Sequence, residues 1–418
     1  MSTAAVTARP VSVTRARILG IAFIVIAFAI ALLFGVGSSG EGSATLQLNG
    51  RDQFADLPDL TLPSSGTSFL IAALVAFAGG IQLTRGFGKQ TYLVFGLIIG
   101  AFVLAFLLWA AAGASLNFFG MLQRTLVRAA PLTLGAMSGV LCERSGVINI
   151  AIEGMMLTAA FVGAIAGSAF GLWLGTLIAI ASGAVLGAVL AALSIRYRVD
   201  QIIAGTVINI FALGITSYLT ARVLVEYLEL NNPGTFGAFD IPLLAKIPLV
   251  GPLVFRNNIF VFLTFVLVAL VHIGLYRTRW GLRVRAVGEH PKAADTVGIN
   301  VLRVRYRNVI LGGMMAALAG AYLTLGSVGR FDENMTAGRG FIALAAMIFG
   351  RWSPIGAFGA ALVFGFAEAL RSTLAILNAP IPSEILAMAP YLATILVVAG
   401  VVGRARAPAA DGQPYVKE

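Results

Sequence analysis

Apolar runs about as long as a bilayer is thick recur along almost the whole chain: 18–36, 68–83, 91–112, a glycine-punctuated stretch 118–167, 172–193, 202–223, 259–275, 309–325, 341–349, 355–370 and 385–402. A helix needs about 20 such residues to cross the hydrocarbon core of a membrane. The 59% of 418 residues that are hydrophobic could supply at most about a dozen crossings. Only 11% are charged, against about 25% in an ordinary soluble domain. This argues against a soluble enzyme, a disordered chain or a disulfide-stapled secreted module. The expected fold is all-α, a polytopic membrane protein of about 10–12 transmembrane or half-membrane helices with broken or re-entrant segments.

The net charge of +11 is scattered at the ends of the runs instead of forming one basic domain, so it orients the chain and does not point to nucleic acid. Arg9, Arg15 and Arg17 precede the first run, Arg85 and Lys89 separate the second from the third, and Arg404 and Arg406 follow the last. Segments 37–66 and 226–258 instead carry several acidic residues, among them Asp52, Asp56, Asp59 and Asp240. Segment 276–307 has the opposite bias: Arg277, Arg279, Arg283, Arg285, Lys292, Arg303, Arg305 and Arg307 against Glu289 and Asp295. The positive-inside rule makes this segment and both termini cytoplasmic, the acidic segments external and the span count even. The expected location is the cell inner membrane. No small-residue cleavage site follows the first run, which reads as a retained helix and not a removed signal. Cys142 stands alone, so no intrachain disulfide forms. Gly163, Gly167, Gly171 and Gly175 recur at four-residue spacing, as expected of closely packed membrane helices.

Two places break the pattern. Residues 341–349 would span about 13.5 Å as a helix, too short to cross, and are bounded by Gly338, Arg339 and Gly340 on one side and Gly350, Arg351 and Pro354 on the other. Earlier, Glu143, Arg144, Ser145 and Gly146 interrupt an apolar stretch, and a short piece, 147–152, ends at Glu153 and Gly154. Lipid cannot satisfy freed backbone groups, so such breaks persist only inside protein or along a water-filled path. Short, glycine-interrupted segments in corresponding positions of two halves point to a transport path; a kink pair packed in protein is the alternative. Ionised groups at this depth need partners. Glu368 and Arg371, three apart, are placed to pair on one helix face. Asn149 and Glu153, four apart, are read as sharing a face of the short piece and, with Glu143, Ser145, Gly340 and Trp352, as candidate residues of a substrate pathway.

Residues 285–301 read RAVGEHPKAADTVGINV. Pro291 suits a first helical turn, Lys292 to Val297 can continue it, and Gly298 can end it in a left-handed conformation. The result is a short, rigid cytoplasmic knob suited to docking on a soluble partner. This segment resembles the coupling loop of ATP-binding-cassette importer permeases of the branch serving nucleosides, simple sugars and branched-chain amino acids. Residues 142–156, CERSGVINIAIEGMM, resemble the long signature of the nucleoside and simple-sugar members, and 340–356, GFIALAAMIFGRWSPIG, resemble a third motif. The resemblance covers about 121–403.

It implies an organisation of three parts: an N-terminal extension, 1–116, with about three spans and an external loop, for which the sequence assigns no role; a permease domain, 117–403, with its coupling segment at 277–307; and a cytoplasmic tail, 404–418. It places Gly288, Glu289, Pro291, Ala293, Ala294, Gly298 and Asn300 on the contact with ATPase subunits, and the first and third motifs along the passage. The implied partners are those ATPase subunits, a sister permease forming a heterodimer, an extracytoplasmic solute-binding protein and the lipid bilayer. The leading cargo is a nucleoside; a ribose- or galactose-type sugar is the rival.

The chain itself is expected to bind no cofactor and to catalyse nothing. Residues 86–91, GFGKQT, lack the spacing of a phosphate-binding loop and the Ser or Thr directly after its lysine, so ATP is used by the partner. Two histidines, His272 and His290, and one cysteine make no transition-metal cluster. Residues 37–40, GSSG, fit an intramembrane-protease pattern with Ser39 as nucleophile, but no base is at hand. An intramembrane hydrolase and an ion-driven secondary carrier are the rivals of other classes; the knob argues against the latter, which needs no ATPase.

Overall fold

The computed structural model describes residues 13–38, 42–49, 56–377, 388 and 406–417. The run 385–402 (Met388 apart), Ser39 and Arg404 fall outside these residues. The chain divides into two compact units, residues 1–50, 55–120 and 372–382 in the first and 51–54, 121–371 and 383–418 in the second. Among the described residues ten helices are long and apolar enough to cross a membrane.

The first unit holds α1 (Val13–Ala29), α2 (Ser64–Thr84) and α3 (Thr91–Ala110). Phe34, in a π-helical extension of α1, packs against Phe102, Phe106 and Trp109 with ring centroids 5.3, 5.7 and 5.8 Å away. The expected external loop contains strand rather than coil alone: β1 (Ser43–Gln47) pairs antiparallel with β2 (Leu60–Pro63) and parallel with β3 (Ser115–Asn117). Ile18, Val25, Phe28 and Phe77 are exposed on the helices. In water such side chains would sit in a core, whereas a lipid surround solvates them.

The second unit is built around α12 (Val301–Ala321), which packs on α4 (Phe118–Glu143), α5 (Ile152–Phe170) and α6 (Leu172–Ala191), while α7 (Gln201–Leu219) packs on α5 and α9 (Ile259–Arg277) meets the turn that follows α12. A short α8 (Val250–Val254) lies in the polar connection before α9. The remaining helices are α10 (Arg279–Glu289), α11 (Pro291–Thr296), α13 (Arg339–Phe349) and α14 (Pro354–Ile376). The mid-section of α12 is almost all small: Gly312, Gly313, Ala316, Ala317, Ala319, Gly320 and Ala321 are buried. Small residues let backbones approach where lipid supplies no hydrophobic drive between helices. A Cβ on Gly313 would strike the Gly183 carbonyl of α6, and one on Gly320 the Met156 carbonyl of α5. The four-residue glycine repeat acts the same way across the α5–α6 hairpin, where a Cβ on Gly175 would meet Gly167 Cα at 2.6 Å.

Pro131 interrupts α4 and, lacking an N–H, leaves the carbonyl four residues earlier unbonded. That carbonyl, on Val127, accepts from the Tyr322 hydroxyl at 2.8 Å. Three other helices in this unit end in π-helical turns, at Ala192–Arg196, Thr220–Leu224 and Tyr322–Val328. The last of these leads out of α12 into the non-helical residues that re-enter the unit before α13.

Candidate functional site

α4 stops at Glu143 because residues 142–147 turn back on the helix end. Cys142 O accepts from the Ser145 amide at 3.0 Å, from Ser145 Oγ at 2.7 Å and from the Val147 amide at 3.2 Å. Gly146, at φ +86°, makes the left-handed turn that a side chain would resist. Residues 147–151 are not helical and α5 begins only at Ile152. The expected short helix carrying Asn149 and Glu153 on one face is therefore replaced by a non-helical link, and the two side chains go to different partners. Asn149 is fully buried and donates through Nδ2 to Ser138 Oγ at 3.0 Å and Cys142 Sγ at 3.5 Å; its Oδ1 has no partner among the described residues.

Glu153 reaches instead to the second break. Its Oε1 accepts from the Gly338 amide at 2.8 Å and its Oε2 from the Gly340 amide at 2.5 Å. It thus caps the N-terminus of α13, where unpaired N–H groups and the helix dipole favour an anion. A Cβ on Gly340 would press on the Glu153 backbone, so glycine is what lets the two segments meet. At its far end α13 turns through Arg351 and Trp352, both at positive φ (+56° and +52°). Such a conformation costs about 1–3 kcal/mol per residue unless the surroundings impose it. Here Arg144 holds both carbonyls, Nε donating to Trp352 O at 2.9 Å and Nη2 to Arg351 O at 3.1 Å. Trp352 Nε1 in turn donates to the buried Glu143 at 2.5 Å.

The two breaks are thereby interlocked, Glu143 and Arg144 with Trp352 at one end of α13 and Glu153 with Gly340 at the other. Glu143, Ser145, Asn149, Gly340 and Trp352 are all buried, so within this chain they hold the breaks together. Glu368 does not pair with Arg371 as its spacing suggested. Its Oε1 accepts from Arg128 at 2.6 Å and from Arg339 at 3.0 Å, three helices meeting on one carboxylate. Two guanidiniums around one carboxyl leave the cluster one positive charge in excess.

Beside the first break lies the knob. Asn300 Oδ1 caps α12 by accepting from the Arg303 amide at 2.9 Å, Pro291 starts α11, and Gly298 at φ +82° ends the following turn. The helix and its stop stand where the spacing predicted them. The candidate contact residues, however, divide by direction. Glu289, Ala293, Gly298 and Asn300 are exposed and Pro291 half-buried, whereas Gly288 and Ala294 face inward. Gly288 backs directly onto the Arg144 carbonyl, and Ala294 packs with Val287 and Val301. These two seat the knob against the break and offer no outer surface. The most protruding apolar side chain of the segment is Val297, 74% exposed.

Over residues 121–401 the sequence matches the family described as branched-chain amino acid transport system / permease component. The chain belongs to this permease family. The permease is 43% identical over 306 residues to the guanosine ABC transporter permease protein NupQ of Bacillus subtilis (strain 168), covering 70% of this chain and 95% of NupQ. It is 38% identical to the nucleoside ABC transporter permease protein NupC of Lactococcus lactis subsp. cremoris (strain MG1363), with the same coverage. To the putative glucose ABC transporter permease protein TsgC13 of Haloferax volcanii it is 34% identical, over 72% of this chain and 98% of the relative. No solved structure matches. Family membership and ten apolar helices make it a multi-pass membrane protein. Both breaks and the knob fall inside the matched region.

Sequence reasoning missed what satisfies the link at 147–154 of the permease. Gln201 Oε1 accepts from the Ile148 amide at 2.7 Å; Asn209 Nδ2 donates to Ile150 O at 2.8 Å and its Oδ1 accepts from the Gly154 amide at 2.7 Å. The signal was present: two amide side chains eight apart at and within an apolar run, which lipid would penalise without partners.

Proposed function

We propose that this permease is the transmembrane subunit of an ATP-binding-cassette importer that carries nucleosides across the cell membrane. The observation that carries the reading is the 43% identity to NupQ over nearly that protein's whole length. The interlocked breaks beside an exposed knob supply a mechanism: broken helices inside protein are where a transporter's path lies, and the knob gives a soluble engine a grip. In this scheme the chain catalyses nothing and holds no cofactor. ATP is bound and split by separate ATPase subunits, a sister permease completes the passage, and an extracytoplasmic binding protein delivers cargo. Both termini and the knob lie on the cytoplasmic side. Glu143, Ser145, Asn149, Glu153, Gly340 and Trp352 hold the gate of the passage. The orphan Oδ1 of Asn149 is a ready acceptor when the gate opens.

The test is uptake into proteoliposomes holding both permeases, the ATPase and the binding protein. Labelled guanosine, adenosine and cytidine are expected to enter only with ATP, and excess ribose or glucose not to compete. Identity of 34% to TsgC13 favours the sugar reading as second choice, and uptake of sugar alone would establish it. Uptake by this chain alone under an ion gradient would replace the importer with a secondary carrier.

The ATPase contact has its own prediction. Val297→Asp and Ala293→Asp put a charge on the exposed side of the knob, where an apolar partner pocket would have to desolvate it. Both are expected to insert normally but to reduce ATPase capture and ATP-driven uptake about tenfold or more. Unchanged capture in both would move the docking surface elsewhere.

A further inference from the structure

The described tail, 406–417, packs into the second unit. The Ala410 amide donates to Gly288 O at 2.9 Å and the Ala409 amide to Glu289 Oε2 at 3.2 Å, both on the knob. The Gln413 carbonyl accepts from Arg305 Nη1 of α12 at 2.8 Å. Tyr415 is buried with Val287, Ala294 and Val301, the residues that seat α11. Between these anchors the Asp411 side chain hydrogen-bonds to that of Glu143, the carboxyl that fixes Trp352 at the break. Burial pushes the Asp411 carboxyl up to about 6, while the Glu143 bond, the Gly412 amide and the Arg305 charge draw it down.

One short segment therefore grips the knob, α12 and the break at once. A segment that only filled space would be cheaper as an apolar plug, because burying Arg305 and Asp411 carries a desolvation cost, and Arg305 Nε and Nη2 and Asp411 Oδ1 find no hydrogen-bond partner among the described residues. The tail also lies directly against the break, where a Cβ on Gly146 would meet Ala410 O at 3.1 Å and one on Gly412 would meet Ile148 Cδ1 at 2.7 Å.

We propose that residues 408–415 form a strap that transmits displacement of the knob to the Glu143–Trp352 joint, with Asp411 as a positioning residue of the transport cycle. This rests on the permease reading above, since it needs an engine on the knob. The experiment uses the complete reconstituted importer with two variants, a stop after Ala407 and Asp411→Ala. The expected result is an ATPase that still binds and hydrolyses ATP near the wild-type rate while uptake per ATP falls about tenfold, within the range for mutations that alter coupling alone. Asp411→Asn, which keeps the side chain's size and its hydrogen bond to Glu143, restores most of that ratio. An unchanged ratio in both the truncated chain and Asp411→Ala overturns the strap, as does loss of ATPase capture alongside uptake, which would make the tail a docking wall.

Should the shortened chain fail to fold, a reversible disulfide between Tyr415→Cys and Val287→Cys, which pack in one cluster away from the exposed side of the knob, decides the matter. A strap tied to the knob still transports, whereas a tether that blocks uptake until reduced shows that the tail must let go. Absence of ATP-driven uptake in the wild-type complex would instead sink the permease reading, a failure separate from that of the strap.

Discussion

Replacing Glu153 by alanine is expected to leave the permease inserted and assembled but to cut ATP-driven uptake by about a hundredfold or more. The carboxylate accepts two backbone amides at the N-terminus of α13, and hydrogen bonds to a charged group contribute about 1.5–3 kcal/mol each. Losing both removes about 3 kcal/mol or more from the arrangement that docks α13 on the first break. It also leaves the Gly338 and Gly340 amides without partners where water is scarce. At about 1.4 kcal/mol per decade, the competent arrangement falls to about a hundredth of its population or less. Glu153→Gln retains one acceptor oxygen and turns an N–H toward the other amide, so it should lie between wild type and alanine. Initial uptake rates, normalised to assembled complex, check the series. Wild-type rates in the alanine variant would mean that α13 is held by something other than this carboxylate.

The second large effect is on folding. Gly313→Val sets a branched side chain against the Gly183 carbonyl across the α6–α12 contact. Overpacking usually costs about 1–3 kcal/mol when side chains can shift. Here the obstacle is backbone on a neighbouring helix, so the contact has to open along its length. The variant is expected to yield little monodisperse protein in detergent and a melting temperature far below wild type. Gly214→Ala in α7, whose added methyl would meet nothing within 4 Å, is the control. It should be neutral or slightly stabilising, since alanine is the better helix former by about 1 kcal/mol. A native melting temperature in Gly313→Val would mean that these two helices do not touch where the glycines lie.

Much of this was legible in the sequence where a local rule settled the outcome. Pro291 and Gly298 bracket α11 because one suits a first turn and the other adopts a left-handed stop. The nine apolar residues 341–349 were too short to cross, and they lie in a helix of 11 residues, Arg339–Phe349. Spacing failed where tertiary partners outcompeted neighbours along the chain. Glu368 and Arg371 have the separation of a helix pair, yet two arginines from other helices satisfy the carboxylate at 2.6 and 3.0 Å. Asn149 and Glu153 have the spacing of one helical face, but a helix through 147–151 would have pulled Asn149 away from Ser138. The knob's Gly288 and Ala294 look like docking residues because they are small, and they are small because they pack inward against the break. The role of the tail was illegible for a plain reason: nothing in 406–417 shows periodicity, and its partners lie more than a hundred positions upstream.

Gln201 and Asn209 have a mechanical consequence. They meet two main-chain groups of the link between α4 and α5 and one in the first turn of α5, groups for which hydrocarbon has no substitute. Were the link to slide while α7 stayed still, these dipoles would be stranded, at several kcal/mol for each. Link and helix are therefore expected to move together if either moves, and the amides of Ile148 and Gly154 to resist deuterium exchange during ATP-driven uptake.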